Sequence, residues 1–213
     1  MRTPAVTANR PKISRDPQRT RQRILAAALA EFSAAGPAGA RVDQIALRAG
    51  VNKRMLYHYF GNKQALFGAV LREKLAEREA LLASAPEGPS ETLTYWFDAA
   101  CRDGDWFRLL GWEALQGPCR KLVHEDRRRA AAQQATAQVQ RRQTKGLLAS
   151  GLDPRHLLLS MIALTAYPLA FPQVTRLVTG RSVNDPLFRE AHREFLQQLA
   201  KLLGGTRKGK RQP

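Results

Sequence analysis

Residues 51–63 read VNKRMLYHYFGNK. Placed on a helix, Leu56, Tyr59 and Phe60 fall on one face, three and four residues apart, while Lys53, Arg54, Tyr57 and His58 fall on the other. One stripe is suited to a core. The other presents two cations, a phenol and an imidazole. Asn52 is a fitting cap for this helix. Just upstream, Val42, Ile45, Ala46 and Ala49 repeat at helical spacing and Gly50 ends the pattern. Two short helices joined by a tight turn at Ala49-Gly50-Val51 make a helix-turn-helix. The second helix of that motif lies in the DNA major groove, with its N-terminal residues toward the base edges. Arg and Lys donate to guanine O6 and N7, and a good pair discriminates by about 1–3 kcal/mol. Tyr57 and His58, one turn later, suit phosphate oxygens. Lys63 opens the next helix, where free backbone N–H groups favour a phosphate.

Working outward, Thr20 is the expected cap of a first helix carrying Ile24, Leu25, Ala28 and Phe32 on one side, stopped by Gly36 and Pro37. Asn62 caps a fourth, with Leu66, Phe67, Val70, Leu71 and Leu75, that runs to about Ala83. Further helical patterns cover 90–102, 104–116, 121–149, 154–166 and 185–203. Asp153-Pro154 and Asp185-Pro186 each supply a cap followed by proline at the first helical position. No alternating strand pattern occurs. The expected fold is all-α: an N-terminal three-helix helix-turn-helix domain, then a helical domain. The divisions are a disordered basic arm over 1–16, the helix-turn-helix over 17–62, the larger domain over 63–203, and a basic tail over 204–213. Arg10, Lys12 and Arg15 of the arm suit an adjacent minor groove.

Composition narrows the partner. Among 213 residues, 35 Lys and Arg face 18 Asp and Glu, a net charge of +17. Residues 1–63 hold twelve Lys and Arg against Asp16, Glu31 and Asp43. Such a chain attracts polyanions. Cys101 and Cys119 form no CxxC pair, and no metal-ligand spacing, phosphate loop, HExxH or Ser-His-Asp arrangement is present, so neither a metal, a cofactor nor an enzymatic activity is expected. The N-terminus lacks the apolar stretch of a signal peptide, which suits a cytoplasmic protein. Nineteen residues without charge, 157–175, approach a membrane span, but Pro168 and Pro172 interrupt them. They read as a buried or interface helix that breaks near Pro168, so no membrane partner is expected. The charge alone also permits a sequence-nonspecific nucleoid-associated protein. That class binds with steep salt dependence and little preference among duplexes.

Residues 20–71 resemble the TetR family of transcriptional regulators. The resemblance rests on Ile24, Phe32, Gly36, Val42, "IALRAGV", Lys53, the "LYHYF" of 56–60, and Lys63 with "ALF". It implies a homodimer on a palindromic DNA operator, released or altered by a small molecule, with repression as the usual output. DNA contact then falls to Arg41, Asn52, Lys53, Arg54, Met55, Tyr57, His58 and Lys63. Two departures stand out. Arg41 replaces the Thr or Ser that caps the second helix, and an arginine cannot cap. Arg54 stands where the family carries a small residue, which makes it a candidate reader of this protein's own operator. Met55 replaces Thr or Ser and suits either a thymine methyl or packing. The family pairs subunits through its last two long helices, here 154–166 and 185–203, with Leu157, Leu158, Met161 and Ile162 against Phe188, Ala191, Phe195, Leu199 and Leu202. Its effector pocket points to Trp96, Trp106, Trp112, Glu113 and Met161, and to an aromatic or hydrophobic effector. A buried Glu113 would favour a cationic one.

Overall fold

The computed structural model describes residues 16–115 and 122–204. Ten α-helices and no strand occur among them. The first four are α1 (Pro17–Gly39), α2 (Val42–Ala49), α3 (Lys53–Phe60) and α4 (Lys63–Ala83). Then come α5 (Pro89–Arg102), α6 (Gly104–Ala114), α7 (Glu125–Thr144), α8 (Pro154–Ala170), α9 (Pro172–Thr179) and α10 (Pro186–Leu203). The basic arm through residue 15, the tail from 205, and Cys119 lie outside the described residues.

The N-terminal helices meet in one core. Ile24, Ala28 and Phe32 of α1, Ile45 of α2, Leu56 of α3, and Leu66 and Leu71 of α4 are fully buried there. The Phe32 and Phe67 rings meet edge to face at 5.1 Å. The cap of α1 is Asp16, whose Oδ1 accepts from the Gln18 and Arg19 backbone N–H groups at 2.9 and 3.2 Å. Thr20, expected as that cap, lies one turn inside the helix and is buried. Gly36 does interrupt α1. It adopts φ +72°, kinks the helix, and a short turn resumes at Pro37. A β-carbon at Gly36 would lie 2.7 Å from the Trp112 ring, so both the backbone and the space demand glycine here. Trp112 also donates Nε1–H to the Ser33 carbonyl at 3.1 Å. Leu109, one turn earlier in α6, is buried wholly within this first core.

A second core joins Leu93 and Phe97 of α5, Val139 of α7, Leu157, Leu158 and Met161 of α8, and Phe188 and Leu196 of α10. The polar α7 is shorter than the expected 121–149. It is held largely by ions: Arg127 grips Glu79 through two bonds of 2.7 Å, and Arg128 grips Glu113 at 2.8 and 3.2 Å. The break expected near Pro168 falls three residues later, at Phe171. Proline leaves the Leu164 carbonyl without its helical partner, and the His192 imidazole of α10 takes that carbonyl at 3.0 Å through Nε2. α8 therefore continues to Ala170. The chain turns only at Phe171, and Pro172 opens α9, which the sequence pattern did not reveal. α8 and α9 meet at 90°, and no single helix among the described residues is long and apolar enough to cross a membrane.

Leu157, Leu158, Met161 and Phe188, expected to face a partner subunit, are buried within this one. Ile162, Phe195 and Leu202 of the same set are exposed, and Leu159 and Leu187 join them. Each helix thus keeps an inner and an outer apolar stripe.

Two outcomes are expected. Gly36→Ala strains the left-handed kink and drives a methyl into Trp112, lowering stability by about 2 kcal/mol. Trp112→Phe loses the hydrogen bond and part of the fused ring packed on the kink, about 1–3 kcal/mol. Urea unfolding measures both. His192 lies between the Phe97, Phe188 and Phe195 rings at 4.7, 5.5 and 5.8 Å. Burial there pushes its pKa below the ordinary value, against the opposing pull of the Leu164 carbonyl. The unfolded chain therefore binds the proton more tightly than the folded one. Stability is full above about pH 6.5 and falls as pH drops below it. Thermal unfolding between pH 8 and 5 should fall less steeply in His192→Gln.

Candidate nucleic-acid interface and ligand cavity

Local bonds set the direction of α3. Asn52 Oδ1 accepts from the Met55 backbone N–H at 2.7 Å, which fixes the first turn. Gly50 adopts the left-handed conformation (φ +61°) that ends α2, and Arg23 of α1 donates Nη2–H to its carbonyl at 3.1 Å. The turn is thereby tied to the longest helix of the domain. Leu56 is fully buried behind α3. Tyr59 and Phe60 are only partly buried against the same core, and the Arg21 guanidinium lies 5.4 Å from the centre of the Phe60 ring. With its back so held, α3 turns Lys53, Arg54, Met55, Tyr57 and His58 to the exterior.

These outward groups are not equivalent. Lys53 pairs with Asp43 of α2 at 3.0 Å, and that hydrogen bond raises its pKa. The pair is well exposed, and exposed pairs are weak and screened by salt, so it opens readily to a phosphate. Arg54 forms no ion pair among the described residues. Met55 and Tyr57 are each about 40% exposed, at 40% and 39%. His58 meets Tyr59 edge to face at 5.8 Å.

Arg41 stands at the N-cap of α2 and makes no side-chain cap bond. Instead its backbone N–H donates to Oε1 of Glu31, a buried carboxylate of α1, at 3.2 Å. Glu31 performs from another helix what a capping-box glutamate performs from within its own. Its Oε2 also lies 3.9 Å from Arg48. The sequence carried no local signal for this contact, which spans ten residues and a helix kink.

Lys63 is engaged within the domain. Its ammonium donates to the Ala38 and Ala40 carbonyls at 3.0 and 3.2 Å. It satisfies orphan acceptors at the end of α1, where a cation is favoured. Asn62 caps α4 through the Ala65 N–H at 2.8 Å.

A cavity of about 330 Å³ lies in the larger domain. Leu75 and Arg78 of α4, Trp96 of α5, Trp106 and Phe107 of α6, Arg128 of α7, and Leu158, Ile162 and Thr165 of α8 line it. Of the five candidates named from sequence, Trp96 and Trp106 face this space. Trp112 packs instead on the α1 kink. Met161 is sealed in the second core. The Glu113 side chain is only 8% exposed, and its charge is met by Arg128 rather than left for a ligand.

Comparison with known proteins bears on the whole chain. The family model for bacterial regulatory proteins, tetR family, matches residues 24–70, and the model for a tetracyclin repressor-like C-terminal domain matches residues 94–201. The HTH-type transcriptional repressor SCO4008 of Streptomyces coelicolor is 34% identical over 171 residues, covering 78% of this chain and 87% of its own. The HTH-type transcriptional regulator RutR of Escherichia coli K12 is 31% identical over 197 residues, covering 88% and 92%. Among solved structures, SCO4942 of Streptomyces coelicolor superposes with a TM-score of 0.73 at 27% identity, covering 87% of this chain and 98% of its own.

Lys63→Met should lower stability by about 1–2 kcal/mol in urea unfolding, because two carbonyls lose a charged donor. The slope of log K against log salt for duplex DNA should stay unchanged. A drop of about 0.9 per lysine would instead put Lys63 on a phosphate.

Proposed function

Because this chain belongs to the TetR family of transcriptional regulators, we propose that it is a ligand-responsive repressor that binds a palindromic DNA operator as a homodimer. One observation carries the reading: α3 is anchored by Leu56 and turns an unpaired Arg54 outward beside Lys53, Tyr57 and His58. Lys53 and Arg54 lie in the first turn, the part of a recognition helix that meets base edges. Tyr57, His58 and Arg41 serve phosphates, and Asn52 holds the first turn in place. Met55, on the outward side, serves a thymine methyl. Repression accords with the relatives named as repressors, SCO4008 and NicS of Pseudomonas putida, the latter 36% identical over 104 residues.

Pairing of two copies is supported by the outer apolar stripes of α8 and α10, where Leu159, Ile162, Leu187, Phe195 and Leu202 are left exposed. Two recognition helices held by such a pair reach successive major grooves about 34–36 Å apart on one side of the duplex. The effector enters the cavity between α4, α5, α6, α7 and α8. It shifts the dimer between operator-competent and incompetent states only by its differential affinity for them. α4 is the lever, since Leu66 and Leu71 lie in the N-terminal core while Leu75 and Arg78 line the cavity.

Selection of bound duplexes from a random pool should yield a two-fold symmetric site with the parent protein. Arg54→Ala should relax preference at one symmetric pair of positions by about 1–3 kcal/mol and leave the rest of the site intact. A pool that enriches no sequence would return the protein to the nonspecific nucleoid class.

A further inference from the structure

The charged groups of the cavity are of one sign. Among the described residues Arg78 and Arg128 line it, and no carboxylate does. Thr165 is the remaining hydroxyl, and its Oγ1 already donates to the Met161 or Ile162 carbonyl, 3.1 Å from each. The carboxylates that balance the arginines stand behind them. Glu113 holds both terminal nitrogens of Arg128, and Asp103 holds Nη2 of Arg78. Asp103 is shared, since the buried Lys74 also binds it at 2.8 Å. One carboxylate therefore serves two cations, and the second acid near them, Glu77, is more than half exposed to screening solvent.

Both guanidiniums keep an unused donor. Nε of Arg78 and Nε of Arg128 are buried and have no hydrogen-bond partner among the described residues. A buried donor left unpaired is costly, and an acceptor that reaches it recovers that cost. The aromatic wall points the same way. The guanidinium carbons of Arg78 and Arg128 lie 5.6 and 5.8 Å from the centre of the Trp106 ring, so the attraction of that indole for a cation is already engaged twice. A cationic ligand would meet two positive groups and an occupied ring. An anion would meet two guanidiniums, each with a buried N–H left without a partner among the described residues. The rest of the lining is apolar and aromatic, and the volume stands at the small end of ligand pockets.

We infer that the cavity takes a flat, largely apolar organic anion, of the class of a fused-ring aromatic carboxylate, its oxygens accepting from Nε–H of Arg78 and Arg128 while its rings lie among Trp96, Trp106 and Phe107. The inference rests on the reading of this cavity as the effector site and gives that site a chemical preference. It reverses what a buried Glu113 alone suggests, because Arg128 stands between that carboxylate and the cavity.

Calorimetric titration of the full chain with two isosteric probes tests it: 2-naphthoate, and the 2-naphthylmethylammonium ion, with the same rings and opposite charge. Naphthoate should bind about tenfold more tightly or better. Arg78→Gln should weaken naphthoate about tenfold and narrow the preference. Arg128→Gln alone strands Glu113, so the Glu113→Gln, Arg128→Gln pair is the companion variant, with the same expected loss. The parent-protein comparison stands whether or not the variants fold. Equal or tighter binding of the ammonium ion, no binding of naphthoate, or a preference unchanged in both variants overturns the inference. Release from the selected operator is measured separately. Naphthoate bound without release upholds the chemistry of the cavity and sinks its regulatory role. Release by the ammonium ion without naphthoate binding does the reverse.

Discussion

Leu109 belongs to the helix that walls the cavity, yet its side chain is buried in the core of the first four helices. With Trp106 and Val123, which pack on the same core, it joins the two halves of the molecule alongside the continuous α4. Trp112 extends the joint by one turn, with its ring on the Gly36 kink and its N–H on the Ser33 carbonyl. A close-packed core has two good arrangements or one, and does not deform continuously. α6 packs on α1, and α1 carries the Arg23 and Glu31 contacts that seat α2 and its turn. This line of packed and hydrogen-bonded groups runs beside α4, the lever proposed above.

How much of this was legible in the sequence followed the range of the interaction. The α2–turn–α3 unit was readable because its determinants are local: the spacing of Ile45, Ala46 and Ala49, the left-handed Gly50, and an asparagine that caps from three residues away. The all-α class and the inner stripes of α1 and α4 came from the same periodicity. The cap of α1 was misplaced by one turn, since Thr20 and Asp16 are both competent and only burial separates them. Pro168 was read as a breaker because the group that rescues it, His192, lies 24 residues farther on and on another helix. Trp96, Trp106 and Trp112 are alike in sequence. Whether Trp106 or Trp112 faces the cavity depends on how α6 is rotated against α1 and α8, and no local pattern carries that.

The same division runs through the charged residues. The excess of cations in the first 63 positions is a property of composition, but what each cation does is a property of contacts. Lys63 satisfies two carbonyls of α1, Arg23 satisfies one at Gly50, and Arg21 pairs with Glu73 while lying over Phe60. These groups hold the domain together. Lys53 is half engaged through Asp43, and Arg54 is left over. A large net charge therefore overstates the number of side chains free to meet a polyanion. In the proposed function the specific part of recognition is assigned to the α3 edge.

The guanidiniums that line the cavity are partly buried. Desolvating a charge is tolerable only when a partner and further hydrogen bonds compensate for it. Arg128 meets that condition with Glu113, and Arg78 does with Asp103, and both are steadied by the Trp106 ring. A wholly apolar wall of the same shape would be simpler to fold and would hold greasy molecules without discrimination. Placing the carboxylates behind and the arginines in front leaves the pairs near neutrality for stability while presenting only donors to the interior. Asp103 shows the balance: burial alone would raise its pKa, and the hydrogen bonds from Lys74 and Arg78 outweigh burial and hold it below the ordinary carboxylate value. The acid is kept ionised at neutral pH, so the guanidinium in front of it keeps its orientation, and the sign of charge that an occupant meets is fixed before any ligand arrives.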